Sequence, residues 1–137
     1  MQRNCLKQLG TNIEFWSVYD DVLLSLEHFR REGWRHFILS NHVPELAALV
    51  SNLGLGSYFD YVFNSVQIGF EKPNQAFFQH VLSDLPDHDQ VWMIGDSYTA
   101  DVLGAAKANI PAVLVRKTHE SAKLQCSSLS DLESIIV

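Results

Sequence analysis

The sequence predicts an α/β protein with a Rossmann-like parallel sheet and helices on both faces. Short apolar runs of strand length alternate with longer segments whose apolar residues recur every three or four positions. Polar residues follow several of the apolar runs directly, as they do at the carboxyl ends of parallel strands. The 137 residues suffice for one domain with a sizeable core. We expect right-handed crossovers to connect the parallel strands.

The first clear element is a helix over about residues 20–32. Its apolar residues have helical spacing, Asp20 or Asp21 suits the N-cap, and Gly33 follows a basic last turn. The later segments continue the alternation. They predict a strand over 35–40, a helix from Pro44 to Leu53, a strand over 61–63, a helix over about 74–83, a strand over 91–94, a helix opening at Asp101, a strand over 112–115 and a last helical turn around 129–136.

Composition and charge narrow the class of protein. The 47% hydrophobic and 19% charged fractions are those of a globular domain, and a formal charge of -6 without a basic stripe argues against nucleic acid as a partner. No apolar run approaches the roughly 18 residues of a membrane span. Cys5 and Cys126 lie near opposite ends without CxxC spacing or a secretory signal, which predicts a reduced, cytoplasmic protein, with one terminal disulfide as the alternative.

Polar side chains stand at three predicted strand ends. Ser40 and Asn41 follow the strand 35–40, Lys72 lies in the loop after the strand 61–63, and Asp96 and Asp101 follow the strand 91–94. Because the carboxyl ends of parallel strands meet at one edge of a sheet, we expect these side chains to converge there.

The residue types suit a phosphate group and a magnesium ion. Ser40 can donate to a phosphoryl oxygen, and Lys72 supplies positive charge. Carboxylates are ligands that Mg²⁺ prefers, so Asp96 and Asp101 are candidate metal residues. Each residue also has a simpler interpretation: Ser40 and Asp96 could cap the following helices, Lys72 could be solvated, and Asp101 could stabilise a first helical turn.

Two further polar features are weaker candidates. His42 is interpreted as a capping or rim residue, because no carboxylate is evident to orient it. The cluster of Asp84, Asp87, His88 and Asp89 is more typical of a solvated turn than of a metal site.

Three segments resemble motifs of the haloacid dehalogenase-like (HAD) hydrolases. FILSN (37–41), GFEKPNQAFF (69–78) and IGDSYTADVLGAAKANI (94–110) are similar to the second, third and fourth motifs of that family. The segment DDVLLSLEHFRREGW is similar to the helix that returns from a cap inserted early in such proteins. The resemblance covers about residues 14–137.

The resemblance implies a Rossmann-like core and Mg²⁺-dependent phosphoryl transfer through an aspartyl phosphate. Small-molecule phosphate esters are the substrate class that it implies, although a minority of relatives remove halide from haloacids. Ser40 would hydrogen-bond the phosphoryl group with Asn41 beside it, and Lys72 would stabilise the nucleophile and the transferring charge. Asp96 would bind Mg²⁺, and Asp101 would support the metal site.

The sequence departs from the family at the first motif, an apolar strand followed by Asp-x-Asp. No such element precedes Ser40, and the nearest candidate, FWSVYDDV, has no second carboxylate at the required spacing. We therefore expect the usual first central strand, between the strands ending at Ser40 and Asp96, to be lacking. Residues 12–18 could fill the gap, the flanking strands could close up, a second chain could supply the strand, or the sequence could be a fragment or shortened reading frame. The last is the favoured interpretation.

Two functional hypotheses follow. The first is a truncated HAD phosphatase, a single partial domain over 1–137 in which 20–137 form the core and 1–19 a lead-in or cap remnant, inactive alone because the nucleophile is missing. The second is a non-catalytic phosphate- and Mg²⁺-binding or scaffolding module. A receiver-like signalling domain would need an acidic cluster on a first strand, and none is found. Exposed sheet edges would favour self-association.

Overall fold

The computed structural model describes residues 3–7, 21–41, 45–52, 54–85 and 90–136. Its centre is a six-stranded parallel sheet in the order β3-β2-β1-β4-β5-β6. The strands are β1 (Arg3–Lys7), β2 (Trp34–Ser40), β3 (Phe59–Asn64), β4 (Gln90–Gly95), β5 (Ala112–Val115) and β6 (Gln125–Cys126). This parallel sheet confirms the predicted Rossmann-like α/β architecture.

Helices lie between successive strands from β1 to β5, and another follows β6. They are α1 (Asp21–Arg31), α2 (Leu46–Asn52), α3 (Ser65–Ile68), α4 (Gln75–Asp84), α5, in which a π-helical segment Tyr98–Leu103 continues as α-helix Gly104–Lys107, and α6 (Leu132–Ile135), with 3-10 turns at Gly56–Tyr58 and Leu129–Asp131. The predicted elements are confirmed with ends shifted by no more than two residues, except that α5 begins at Tyr98 instead of Asp101.

The expectation that the central strand is lacking was wrong. β1 lies between β2 and β4 and pairs with both in parallel, with Lys7 level with Ile38 on one side and Ile94 on the other. The segment RNCLK has too little apolar alternation to be recognised as a strand, but two open backbone edges on β2 and β4 provide its hydrogen-bond partners. Residues 12–18, proposed to fill the gap, lie outside the described residues.

This placement changes two related expectations. Part of the predicted lead-in belongs to the core sheet, because Arg3–Lys7 form its middle strand. The inner edges of β2 and β4 are paired, so the argument for self-association through them no longer holds. The outer strands of the sheet are β3 and β6.

Helices cover both faces of the sheet, and the strands are therefore apolar on both faces. On one face Phe77 and Phe78 of α4 pack in a cluster with Leu39. On the other face Phe29 of α1 packs in a cluster with Ile94. Successive residues of a strand thus contribute side chains to opposite faces of the sheet, as strand geometry requires.

Side chains fix the helix starts nearest the carboxyl edge of the sheet. Asn64 accepts a hydrogen bond from the Val66 N–H at 3.1 Å and caps α3, and Asn74 accepts from the Ala76 N–H at 2.8 Å and caps α4. The loop that carries Lys72 runs from the end of α3 to the Asn74 cap of α4.

A second network connects the start of α1 to the end of the chain. Asp21 accepts hydrogen bonds from Arg116 at 2.6 and 2.9 Å and from the Leu129 N–H at 2.7 Å. Burial alone would raise the pKa of Asp21, but the bonds from Arg116 and Leu129 and the guanidinium charge hold this pKa below its usual range. The network therefore fastens the segment after β5 to the core.

Candidate functional site

The buried ion pair between Lys72 and Asp101 is the centre of the candidate site. The Lys72 Nζ donates to Asp101 Oδ1 at 2.7 Å and to the Leu39 carbonyl oxygen at 3.1 Å. The two side chains are only 2% and 0% exposed. Since the three residues come from the loop after β3, the start of α5 and the end of β2, the structure brings the expected strand ends together.

Burial and charge act in opposite directions on this pair. Burial lowers the pKa of Lys72 and raises the pKa of Asp101, because each charged form loses water. The attraction between the two groups opposes both shifts. The positive and negative charges of the pair cancel, so the pair as a unit adds no net charge to the site.

Asp96 lies close enough to act on both partners. Its negative charge contributes to raising the pKa of Lys72 and the pKa of Asp101. Asp96 is half-buried, directly after β4. Among the described residues no hydrogen bond or ion pair engages its carboxylate, which leaves it available to a ligand.

Ser40 ends β2 beside this cluster. It is fully buried, and its hydroxyl has no hydrogen-bond partner among the described residues. The preceding residue, Leu39, is the one whose carbonyl oxygen accepts from Lys72. A buried hydroxyl left unpaired costs about 1–3 kcal/mol, which a ligand oxygen at this position would offset.

Asn41 holds the backbone of Lys72 in place. Its Nδ2 donates to the Lys72 carbonyl oxygen at 3.0 Å, and its Oδ1 accepts from the Lys72 N–H at 3.0 Å. Both polar ends of the amide are therefore engaged in positioning the lysine loop. Contact between Asn41 and phosphate remains a prediction, whereas its contact with Lys72 was not foreseen.

Two glycines and a backbone N–H complete the geometry, and the sequence reasoning missed their part. A Cβ on Gly95 would lie 2.2 Å from Asp101 Oδ2, and the Ser97 N–H donates to that oxygen at 3.1 Å. A Cβ on Gly104 would lie 2.7 Å from the Phe78 ring. The Gly-Asp-Ser sequence at 95–97 is a signal that could have revealed the first of these close approaches.

The two aspartates differ in what they can offer to Mg²⁺. Both Asp101 oxygens already accept a hydrogen bond, from Lys72 and from the Ser97 N–H, and the group is fully buried, so Asp96 is the more open carboxylate of the two. Within the described part of the chain, no group of three His, Cys, Asp or Glu side chains could hold a metal ion. The neighbouring central strand ends on Lys7. The described residues thus offer Mg²⁺ one open carboxylate, and an ion held by one carboxylate depends on water and phosphate oxygens for its other ligands.

Comparison with known proteins identifies the family. The profile of the haloacid dehalogenase-like hydrolases matches residues 5–109. The chain belongs to this family. The membership expected from the three motifs is thus confirmed, and the matched range contains Ser40, Lys72, Asp96 and Asp101, whose roles stay predictions.

Curated relatives of this HAD protein include phosphatases. Glyceraldehyde 3-phosphate phosphatase of Methanothermobacter thermautotrophicus is 32% identical over 108 residues, which are 77% of this chain and 47% of that protein. The chain spans less than half the length of the first curated relatives that it matches.

Solved structures of HAD proteins share the fold. The HAD phosphatase from Thermococcus onnurineus is 26% identical with a TM-score of 0.79, over 87% of this chain and 58% of that one. YfnB from Bacillus subtilis, whose structure was determined bound to magnesium, has a TM-score of 0.79 at 23% identity, over 86% of this chain and 54% of that one.

Of the weaker candidates, Asp84 is the one that lies among the described residues. His42, Asp87, His88 and Asp89 lie outside the described residues. Asp84 contacts His80 at 3.2 Å, an exposed pair one helical turn apart on α4. In the described ranges no helix is long and apolar enough to cross a membrane.

Proposed function

We propose that this protein is the core of a HAD phosphatase and that its carboxyl edge holds the phosphoryl group of a small-molecule phosphate ester. The observation that carries the proposal is the buried Ser40 hydroxyl, which has no hydrogen-bond partner among the described residues and follows the strand-end carbonyl that orients Lys72. Relatives that are phosphatases support the same reaction class.

Each residue has a defined task in this proposal. Ser40 donates a hydrogen bond to a phosphoryl oxygen, and Lys72 provides positive charge at short range. Asp101 holds Lys72 in place through the 2.7 Å contact, and Asn41 holds its backbone. Because these contacts already exist within the protein, the site is organised before a ligand enters.

Turnover requires a group that the chain does not provide at the expected place. Phosphoryl transfer through a covalent intermediate needs a nucleophile, and β1 ends on Lys7, which Gln8 and Leu9 follow in the sequence. We therefore propose that the chain binds phosphate but does not hydrolyse esters alone. Asp96 would hold Mg²⁺, with Asp101 in support, only where a further carboxylate completes the ligand set.

The binding proposal is tested with a matched pair of serines. Ser25, on α1, and Ser40 are both buried, and the hydroxyls of both lack a partner among the described residues. Titration with inorganic phosphate, followed by NMR shifts or calorimetry, should show affinity that Ser40→Ala weakens and Ser25→Ala preserves. Equal effects of the two substitutions, or no binding at all, would contradict the proposed site.

The activity proposal is tested with a generic phosphate ester such as p-nitrophenyl phosphate, with Mg²⁺ present. We expect no hydrolysis above the rate without protein. The alternative function, a non-catalytic binding or scaffolding module, is favoured by Lys7 at the end of β1 and shares this expectation. Turnover that Asp96→Ala abolishes would exclude the module and would also show that the nucleophile comes from elsewhere in the chain.

The remaining expectations about partners and location are part of the proposal. A small phosphorylated molecule is the proposed ligand, and the formal charge of -6 argues against nucleic acid. We propose a cytoplasmic location, with which the free Cys126 is compatible.

A further inference from the structure

The carboxyl edge of the sheet has an unusual balance of charge for a magnesium site. Lys72 and Asp101 neutralise each other in the buried pair. Both Asp101 oxygens accept hydrogen bonds, from Lys72 and from the Ser97 N–H, and the carboxylate is fully buried beside the Lys72 ammonium, which disfavours a cation there. Asp96 then contributes the remaining negative charge of this cluster.

The middle strand brings a positive residue to the same edge. Lys7 is the last residue of β1 and is level with Ile38 and Ile94 on the two flanking strands. Ser40 lies two residues after Ile38, and Asp96 lies two residues after Ile94. With strands about 4.8 Å apart and a rise of about 3.3 Å per residue, the Lys7 backbone lies roughly 8 Å from both, about one Debye length at physiological salt.

These residues together leave the edge without net charge, because two lysines stand against two aspartates. Among the described residues a divalent cation would meet one open carboxylate, that of Asp96, and Mg²⁺ sheds its water shell reluctantly for so small a gain. A phosphate dianion would instead meet the Ser40 hydroxyl, which has no hydrogen-bond partner in the described part of the chain, at an edge where the central strand ends on a lysine.

We propose that this edge binds a phosphate group without a divalent metal, with Lys7 supplying the counter-charge at the end of the central strand. The inference rests on the proposed phosphate site and adds that the site is metal-independent. The proposed ligand of this site is a phosphate dianion, either free or as part of a phosphate ester. Metal independence would distinguish this site from one in which an acidic strand end and Mg²⁺ act together.

Calorimetry with inorganic phosphate at fixed ionic strength tests the inference, in EDTA and in excess Mg²⁺. We expect the same affinity in both solutions and no heat from Mg²⁺ alone. Lys7→Gln should weaken phosphate binding about tenfold or more, because it removes the positive charge proposed to offset that of the phosphate. Lys107→Gln, an exposed lysine on α5, is the matched control and should change nothing.

The outcomes separate this inference from the function on which it rests. Binding that appears only with Mg²⁺ overturns metal independence and leaves the phosphate site standing. Absence of binding in both solutions overturns the phosphate site itself. A Lys7→Gln protein that melts like the parent and binds phosphate equally well overturns the role of Lys7. In a Lys7→Asp variant we expect phosphate binding to become dependent on Mg²⁺, and continued metal-free binding by that variant would also refute the assignment.

Discussion

Replacing Lys72 with methionine should destabilise the protein strongly, because Asp101 would stay buried without its counter-charge. The pair is 2% and 0% exposed with its charged atoms 2.7 Å apart. Removing one partner of a buried ion pair costs about 3–5 kcal/mol. Methionine is unbranched and of similar length, so lost packing should add little to this cost.

The same magnitude follows from the protonation of Asp101. The variant can avoid a buried charge by folding with a neutral Asp101. Protonating an aspartate whose unfolded-state pKa is about 3.9 costs roughly 1.4 kcal/mol of free energy for each pH unit above that pKa, or roughly 4 kcal/mol at pH 7. Either route removes a large part of the 5–15 kcal/mol that typically stabilises a domain.

The pH dependence has a definite sign. In the variant, burial no longer opposed by Lys72 raises the pKa of Asp101, so the folded state keeps a proton that the unfolded state releases. Stability should then rise as the pH falls from 7 towards about 4, and fall as the pH rises. In the unsubstituted protein the pair holds one proton when folded or unfolded near neutral pH, and it contributes no such slope.

Urea denaturation followed by circular dichroism, between about pH 5 and pH 8, measures both effects. Lys107→Met controls for the loss of an exposed lysine, and Lys72→Met combined with Asp101→Leu should recover stability and lose the pH slope. A Lys72→Met protein within about 1 kcal/mol of the parent at pH 7, or one whose stability has the parent's pH dependence, would refute the buried-pair reasoning.

Three further predictions concern the surroundings of the pair. Gly95→Ala should lower stability by about 1–3 kcal/mol in thermal melts, because its Cβ would overlap Asp101; an unchanged melting temperature would contradict the close approach. Asp21→Asn should cost about 1.5–3 kcal/mol at pH 7 by loss of the Arg116 contact. Since the folded-state pKa of Asp21 is lowered, this difference should shrink in acid titration as the pH falls below about 4, and a difference that persists in strong acid would be inconsistent with it. Ser40→Ala should leave stability unchanged or slightly increased, because no hydrogen bond is lost, while phosphate affinity falls; a large destabilisation would mean that the hydroxyl has a partner within the protein.

Four of the strands, and the helices other than α3, were open to sequence reasoning for local reasons. The α1 segment repeats apolar residues at helical spacing, and the segment before Asp96 is an apolar run that ends on glycine. Such patterns arise because one face of a segment is buried, and they do not depend on which other segments form the core. β1 has no comparable pattern, because its backbone partners on β2 and β4, and not its own side chains, define it as a strand.

The sequence by itself determined which polar groups reach the carboxyl edge of the sheet: Ser40, Lys72, Asp96 and Asp101 follow strands whose order and direction it specifies. Only the tertiary structure decided which of their atoms are already used. It engages both ends of the Asn41 amide with Lys72 and both Asp101 oxygens within the protein, and it brings Lys7 to the middle of the edge. The physical reason is that a hydrogen bond depends on distances of a few tenths of an ångström between distant segments, which spacing along the chain does not contain.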